Sequence, residues 1–157
     1  MASRLLSFRA VATALAMTAL FSSCSDDSDD QPATPAVGVS WTVDGNNVTA
    51  SQVQKTVGTT EVSISAAAGS ATSASGITLT VPKAVGTYTI SATSAADATY
   101  TTATSGSAGL YGATSGTIAV TSLTATNIIG TYSFTGTDAI GGTATKTISN
   151  GKFNVAL

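Results

Sequence analysis

Val39-Ser40-Trp41-Thr42-Val43-Asp44-Gly45-Asn46-Asn47-Val48 is the stretch that sets the fold class. Val39, Trp41 and Val43 fall on one side of a two-residue period, and Ser40 and Thr42 on the other. That alternation is the pattern of a strand with one face buried. Asp44-Gly45 then predicts a tight turn, because glycine takes positive φ without steric cost, and Val48 begins the returning strand.

The same pattern recurs outward along the chain. Val62-Ser63-Ile64, Ile77-Thr78-Leu79-Thr80-Val81, Tyr88-Thr89-Ile90 and Ile118-Ala119-Val120 alternate in the same way. The run from Ile128 to Phe134 puts Tyr132 and Phe134 on one face. Tyr100, Leu110 and Tyr111 belong to shorter strands. The chain closes with Thr145 to Ile148, a turn at Asn150-Gly151 and a short final strand from Phe153 to Leu157. No segment after the leader keeps a helical period. The Ala-rich residues 66–74, interrupted by Gly69, read as a loop or strand edge. Short strands with frequent turns predict an all-β fold: a single antiparallel β-sandwich domain over residues 37–157, with a small β-barrel as the alternative.

Composition agrees. Charged residues make up 9% of the chain, against about 25% in an ordinary soluble domain; Ser and Thr replace them. Disorder competes for any Ser/Thr/Gly/Ala-rich chain, but it goes with high net charge and few β-branched residues. Here the net charge is −2, and Ile, Val, Tyr and Phe recur at strand spacing. From Ala36 onward Lys55, Lys83, Lys146 and Lys152 balance Asp44, Glu61, Asp97 and Asp138. No basic stripe forms, so nucleic acid is excluded as a partner.

Residues 1–23 have the order of a secretory signal peptide: Arg4 and Arg9, an apolar run from Ala10 to Phe21, then Ser22-Ser23. The apolar run is about 12 residues, short of the roughly 20 that span a hydrocarbon core as a helix. Leu20-Phe21-Ser22-Ser23-Cys24 resembles a lipobox, in which small residues precede a cysteine that is acylated and becomes the new N-terminus. Cys24 is the only cysteine, so no disulfide forms within the chain. Residues 24–36 are expected to be an acidic, disordered tether. Ser25, Asp26, Asp27, Asp29 and Asp30 resemble the acidic export signal of Bacteroidota surface lipoproteins. Like charges also keep such a segment extended, and Pro32 and Pro35 mark its end. The expected location is therefore the outer membrane, lipid-anchored and exposed at the cell surface, with a periplasm-facing position as the alternative.

An ordered set of motifs carries a second resemblance. Trp41-Thr42-Val43-Asp44-Gly45, Gly86-Thr87-Tyr88-Thr89-Ile90 and Ser115-Gly116-Thr117-Ile118-Ala119-Val120 come first. Gly130-Thr131-Tyr132-Ser133-Phe134 and Ile148-Ser149-Asn150-Gly151-Lys152-Phe153 follow. Together, over residues 38–157, they resemble the DUF6252 family of Bacteroidota lipoproteins. The resemblance implies an antiparallel β domain in the cell envelope and names no catalytic residue.

Chemistry-bearing groups are sparse. There is no histidine, so neither a Ser-His-Asp nor a Cys-His arrangement can assemble. With Cys24 expected to be acylated, a zinc site lacks its usual ligands, and no cofactor or metal is expected. Asp44, Glu61, Asp97 and Asp138 show no spacing that singles out a carboxylate pair for glycoside hydrolysis. Trp41, in phase with Val39 and Val43, reads as core. Tyr100 and Tyr111, beside loops, are the candidates for an exposed sugar-stacking ring. The expected function is non-catalytic: a binding or structural module held to the membrane by its lipid anchor. Its partner is a glycan, in a surface complex, or an envelope protein, in an assembly.

Overall fold

The computed structural model describes residues 37–157 apart from 71, 105 and 106. All ten elements are strands: β1 (Gly38–Val43), β2 (Asn46–Thr49), β3 (Gln52–Val57), β4 (Glu61–Ser70), β5 (Ser73–Pro82), β6 (Gly86–Ile90), β7 (Asp97–Thr104), β8 (Ser107–Leu123), β9 (Asn127–Asp138) and β10 (Thr145–Ala156). Every pairing is antiparallel. They form one sheet in the order β2-β1-β10-β9-β8-β7-β5-β4-β3, with β6 paired to β8 beside β7. The all-β, antiparallel class is as expected. Within it, the sheet is continuous and curls into a half-barrel rather than dividing into two layers. The long β8 makes the curl possible: its first half pairs with β7 and its second half with β6, while β9 runs along its other side.

The alternation seen in β1 is the alternation of burial. Val39, Trp41 and Val43 are buried, as are Val62, Ile64, Ile77, Leu79, Val81, Ile118, Val120, Ile128, Tyr132 and Phe134. They pack as one cluster inside the curl. At the β1–β2 turn both Asp44 (φ 50°) and Gly45 (φ 79°) take positive φ, as a two-residue hairpin turn matching strand twist requires.

Asn150-Gly151 behaves differently and corrects the expected hairpin. Only Asn150 takes positive φ (50°), so the chain does not reverse, and β10 continues unbroken from Thr145 to Ala156. Ser149 and Asn150 occupy the interval opposite Ser133 alone, since Ile148 pairs with Phe134 and Gly151 with Tyr132. One left-handed residue with two residues set against one is a β-bulge. Within the Ala-rich stretch, residues 66–70 and 73–74 are likewise strand and not loop: they belong to the arms of the β4–β5 hairpin, with Ala66 and Ala68 buried.

The glycines of the second half make room for rings. Gly130 lies opposite Phe153, Gly151 opposite Tyr132 and Gly116 opposite Phe134. A methyl group added at Gly151 would sit 2.5 Å from Tyr132, and one at Gly116 2.6 Å from Phe134. The Phe153 and Tyr132 rings therefore lie across the bare backbone of Gly130 and Gly151, while Phe134 sets its Cα and Cβ against Gly116. Tyr132 and Phe153 also stack, with centroids 6.4 Å apart. The interior of a tightly curled sheet is narrow, and at these positions the glycine leaves the space that the aromatic residue opposite fills.

Tyr132 donates its hydroxyl hydrogen to the Ser40 carbonyl at 3.1 Å, and burial pushes its pKa well above the ordinary tyrosine value. Below about pH 10 the phenol is protonated in native and unfolded chains alike. Above that, the unfolded chain ionises while the buried phenol does not, so stability falls as pH rises toward the native pKa. Thermal melts from pH 8 to 11.5 are expected to show this alkaline loss. Tyr132→Phe is expected to flatten it while lowering stability modestly at pH 8; an equally steep loss in the variant would contradict the assignment.

Candidate functional site

Cys24, the tether and the acidic residues Ser25, Asp26, Asp27, Asp29 and Asp30 lie outside the described residues. The other candidates, Tyr100 and Tyr111, are cross-strand partners on β7 and β8, both on the inner face of the curl. Tyr100 is only 4% exposed, which corrects its expected place as a surface ring. Strand period decides this: Ala98 and Tyr100 are two residues apart and both buried. Tyr111 is half-buried against the core. The two rings are 6.0 Å apart and tilted by 35°. Every aromatic ring among the described residues belongs to this core or packs against it.

Near the tyrosines, Lys146 on β10 forms an ion pair with Asp44 of the β1–β2 turn, at 2.5 Å. This bond raises the lysine pKa, and burial raises that of Tyr100. Glu61 and Asp97 begin β4 and β7. Asp138 ends β9 and accepts a hydrogen bond from the Ile140 amide at 2.8 Å. Local backbone thus accounts for Asp138, and Lys146 for Asp44. Among the described residues, no three acids gather into a metal-binding group.

The feature that sequence reasoning missed is β3. It is a terminal strand of the sheet, pairing with β4 alone, and all six of its residues are exposed. Opposite its free side stand the start of β1 and the end of β10. A cleft of about 300 Å³ separates them, lined by Val37, Val53, Lys55, Val155 and Ala156 among others. The Lys55 ammonium donates a hydrogen bond across this seam to the Ala156 carbonyl. At the other end, the Ala50 amide bonds the Val39 carbonyl and the Ser51 amide the Ala67 carbonyl, so the seam is laced where β2 turns into β3. Val37, Val53 and Val57 are 78%, 36% and 41% exposed. The signal was present as Val53-x-Lys55-x-Val57, a two-residue period with a charge at its centre. That charge hides the strand from a search for apolar alternation.

No curated protein and no solved structure matches the chain. A family model does match, described as a domain of unknown function, DUF6252, and it covers residues 34–155. The match takes in all nine strands from β1 to β9 and β10 as far as Val155, including each glycine–aromatic pair that shapes the interior. The chain therefore belongs to the DUF6252 family.

Proposed function

We propose that this protein is a non-catalytic lipoprotein of the outer membrane, exposed at the cell surface, whose β domain serves as a protein-interaction module. The anchor rests on one observation: Cys24 stands directly between an apolar leader run and an acidic tether. One acyl chain gives only marginal membrane binding, whereas two or more hold a protein stably. The tether from Ser25 to Pro35 can extend roughly 35–40 Å, enough to lift the domain clear of the headgroups.

The exposed edge of β3 and its apolar cleft favour a protein partner, because a free sheet edge offers unpaired backbone groups to another chain. The glycan alternative calls for an open aromatic ring. Tyr100 is buried and Tyr111 packs against it, which weighs against that reading.

Membrane fractionation with protease treatment of intact cells tests the proposal. Wild-type protein is expected in the outer-membrane fraction and digested by external protease. Cys24→Ser is expected to vanish from that fraction and escape digestion. A Cys24→Ser protein that fractionates like the wild type would refute the anchor.

A further inference from the structure

Taking the domain as a protein-interaction module, we propose that the β3 seam is its docking site. The partner is an extended polypeptide segment that adds as a strand along β3 and places an acidic side chain opposite Lys55.

β3 has the backbone for this. It is a full-length strand with β-branched Val53, Thr56 and Val57, held by β4 on one side only. Its pairing register sets Val53 opposite Ala66, Lys55 opposite Ile64 and Val57 opposite Val62. Ala66, Ile64 and Val62 are all buried inside the curl, so Val53, Lys55 and Val57 face the same way. They continue the inner surface past the point where the sheet stops covering it. Val37 and Val53, exposed aliphatic residues, line the cleft, and Val57, also exposed, lies farther along the same face of β3. An incoming strand with aliphatic residues at alternate positions would cover the valines while its backbone pairs with the free edge, as in recognition by strand addition.

Charge selects the occupant. Lys55 is the one ion lining the cleft, and its acceptor is a neutral backbone carbonyl. Among the described residues it meets no carboxylate, the one ion pair being Lys146–Asp44. A carboxylate arriving on the partner strand gives the ammonium a charge-assisted bond in place of a neutral one. The same charge argues against a second copy of this chain. Two-fold pairing of β3 with itself, in the register that sets Val53 against Val57, brings the two Lys55 side chains face to face. Like charges directly opposed across strands are destabilising.

The test uses the full chain, expressed with its leader and purified in detergent. Its probes are two fluorescein-labelled peptides, Thr-Val-Thr-Glu-Thr-Val-Thr and the counterpart with lysine at the centre. Saturable anisotropy is expected with the glutamate peptide, at least tenfold tighter than with the lysine peptide, and amide exchange is expected to slow at Gln52–Val57. Lys55→Glu is expected to reverse the preference. Absence of saturable binding, equal affinity for the two peptides, or protection confined to other strands would overturn the proposal. Should Lys55→Glu fail to fold, the wild-type affinity ratio and exchange map decide alone. Peptide binding does not depend on the anchor, so a failed docking site and a failed lipoprotein assignment show up in different experiments.

Discussion

Replacing Trp41 with alanine is expected to lower the stability of the domain by about 3–5 kcal/mol, the range for removing a buried large aromatic. Trp41 is 1% exposed and is the largest fully buried side chain among the described residues. It lies on β1 between β2 and β10, so the cavity would open beside the strand that joins the first hairpin to the rest of the sheet. Domains of this size are stable by roughly 5–15 kcal/mol, so the variant stands near its unfolding threshold at 37 °C. Denaturant titration of the wild type and variant measures the difference. Trp41→Phe separates two contributions. The indole Nε1–H is buried without a hydrogen-bond partner, and leaving such a donor unmet costs about 1–3 kcal/mol. Phenylalanine loses ring volume but also removes that donor, so its destabilisation is expected to be well under half that of alanine. Equal losses for the two variants would contradict this, because phenylalanine keeps most of the ring volume that alanine gives up.

Gly130→Ala is expected to cost at least the 1–3 kcal/mol typical of forced overpacking, although it adds one methyl group. The new carbon would stand 2.2 Å from the Ala119 carbonyl oxygen and 2.4 Å from the Phe153 ring. An exposed ring would swing aside, but Phe153 is 1% exposed and stacks on Tyr132. The carbonyl belongs to the β8–β9 ladder and cannot move without breaking it. Strain should therefore pass into the register of three strands, β8, β9 and β10. Gly112→Ala is the control, since nothing lies within 4 Å of a methyl group there; its effect is expected to stay within about 0.5 kcal/mol, as for surface changes away from special features. Chemical denaturation of both variants supplies the comparison.

These two sites also show how far the sequence could be read. Trp41 was legible because its neighbours Val39 and Val43 share its phase, and burial follows phase in a strand. The β1–β2 turn was legible because Asp44-Gly45 satisfies both positive-φ positions locally. Asn150-Gly151 carries almost the same local signature and builds a bulge. What separates the two is tertiary: Gly151 sits against Tyr132, which holds β10 in its ladder with β9. The alanines of β4 and β5 were hard to assign because their small side chains give little apolar contrast along the chain. Tyr100 looked like a loop-side residue because the threonines and alanines around it mask the strand on which it is buried. β3, the basis of the docking proposal, escaped notice because Lys55 stands where an aliphatic residue would complete the period. A curled single sheet rather than two layers depends on β8 changing partners midway, a property of register that no local pattern encodes.

What the chain does depends most on the fate of its single thiol. The mass of the mature N-terminal peptide, measured on protein purified from envelope membranes, addresses this directly. The account predicts a chain that begins at Cys24 and carries at least a diacylglyceryl group, with no sulfhydryl left to alkylate. A peptide that retains the leader, or one that begins near Cys24 with an alkylatable thiol, would contradict it.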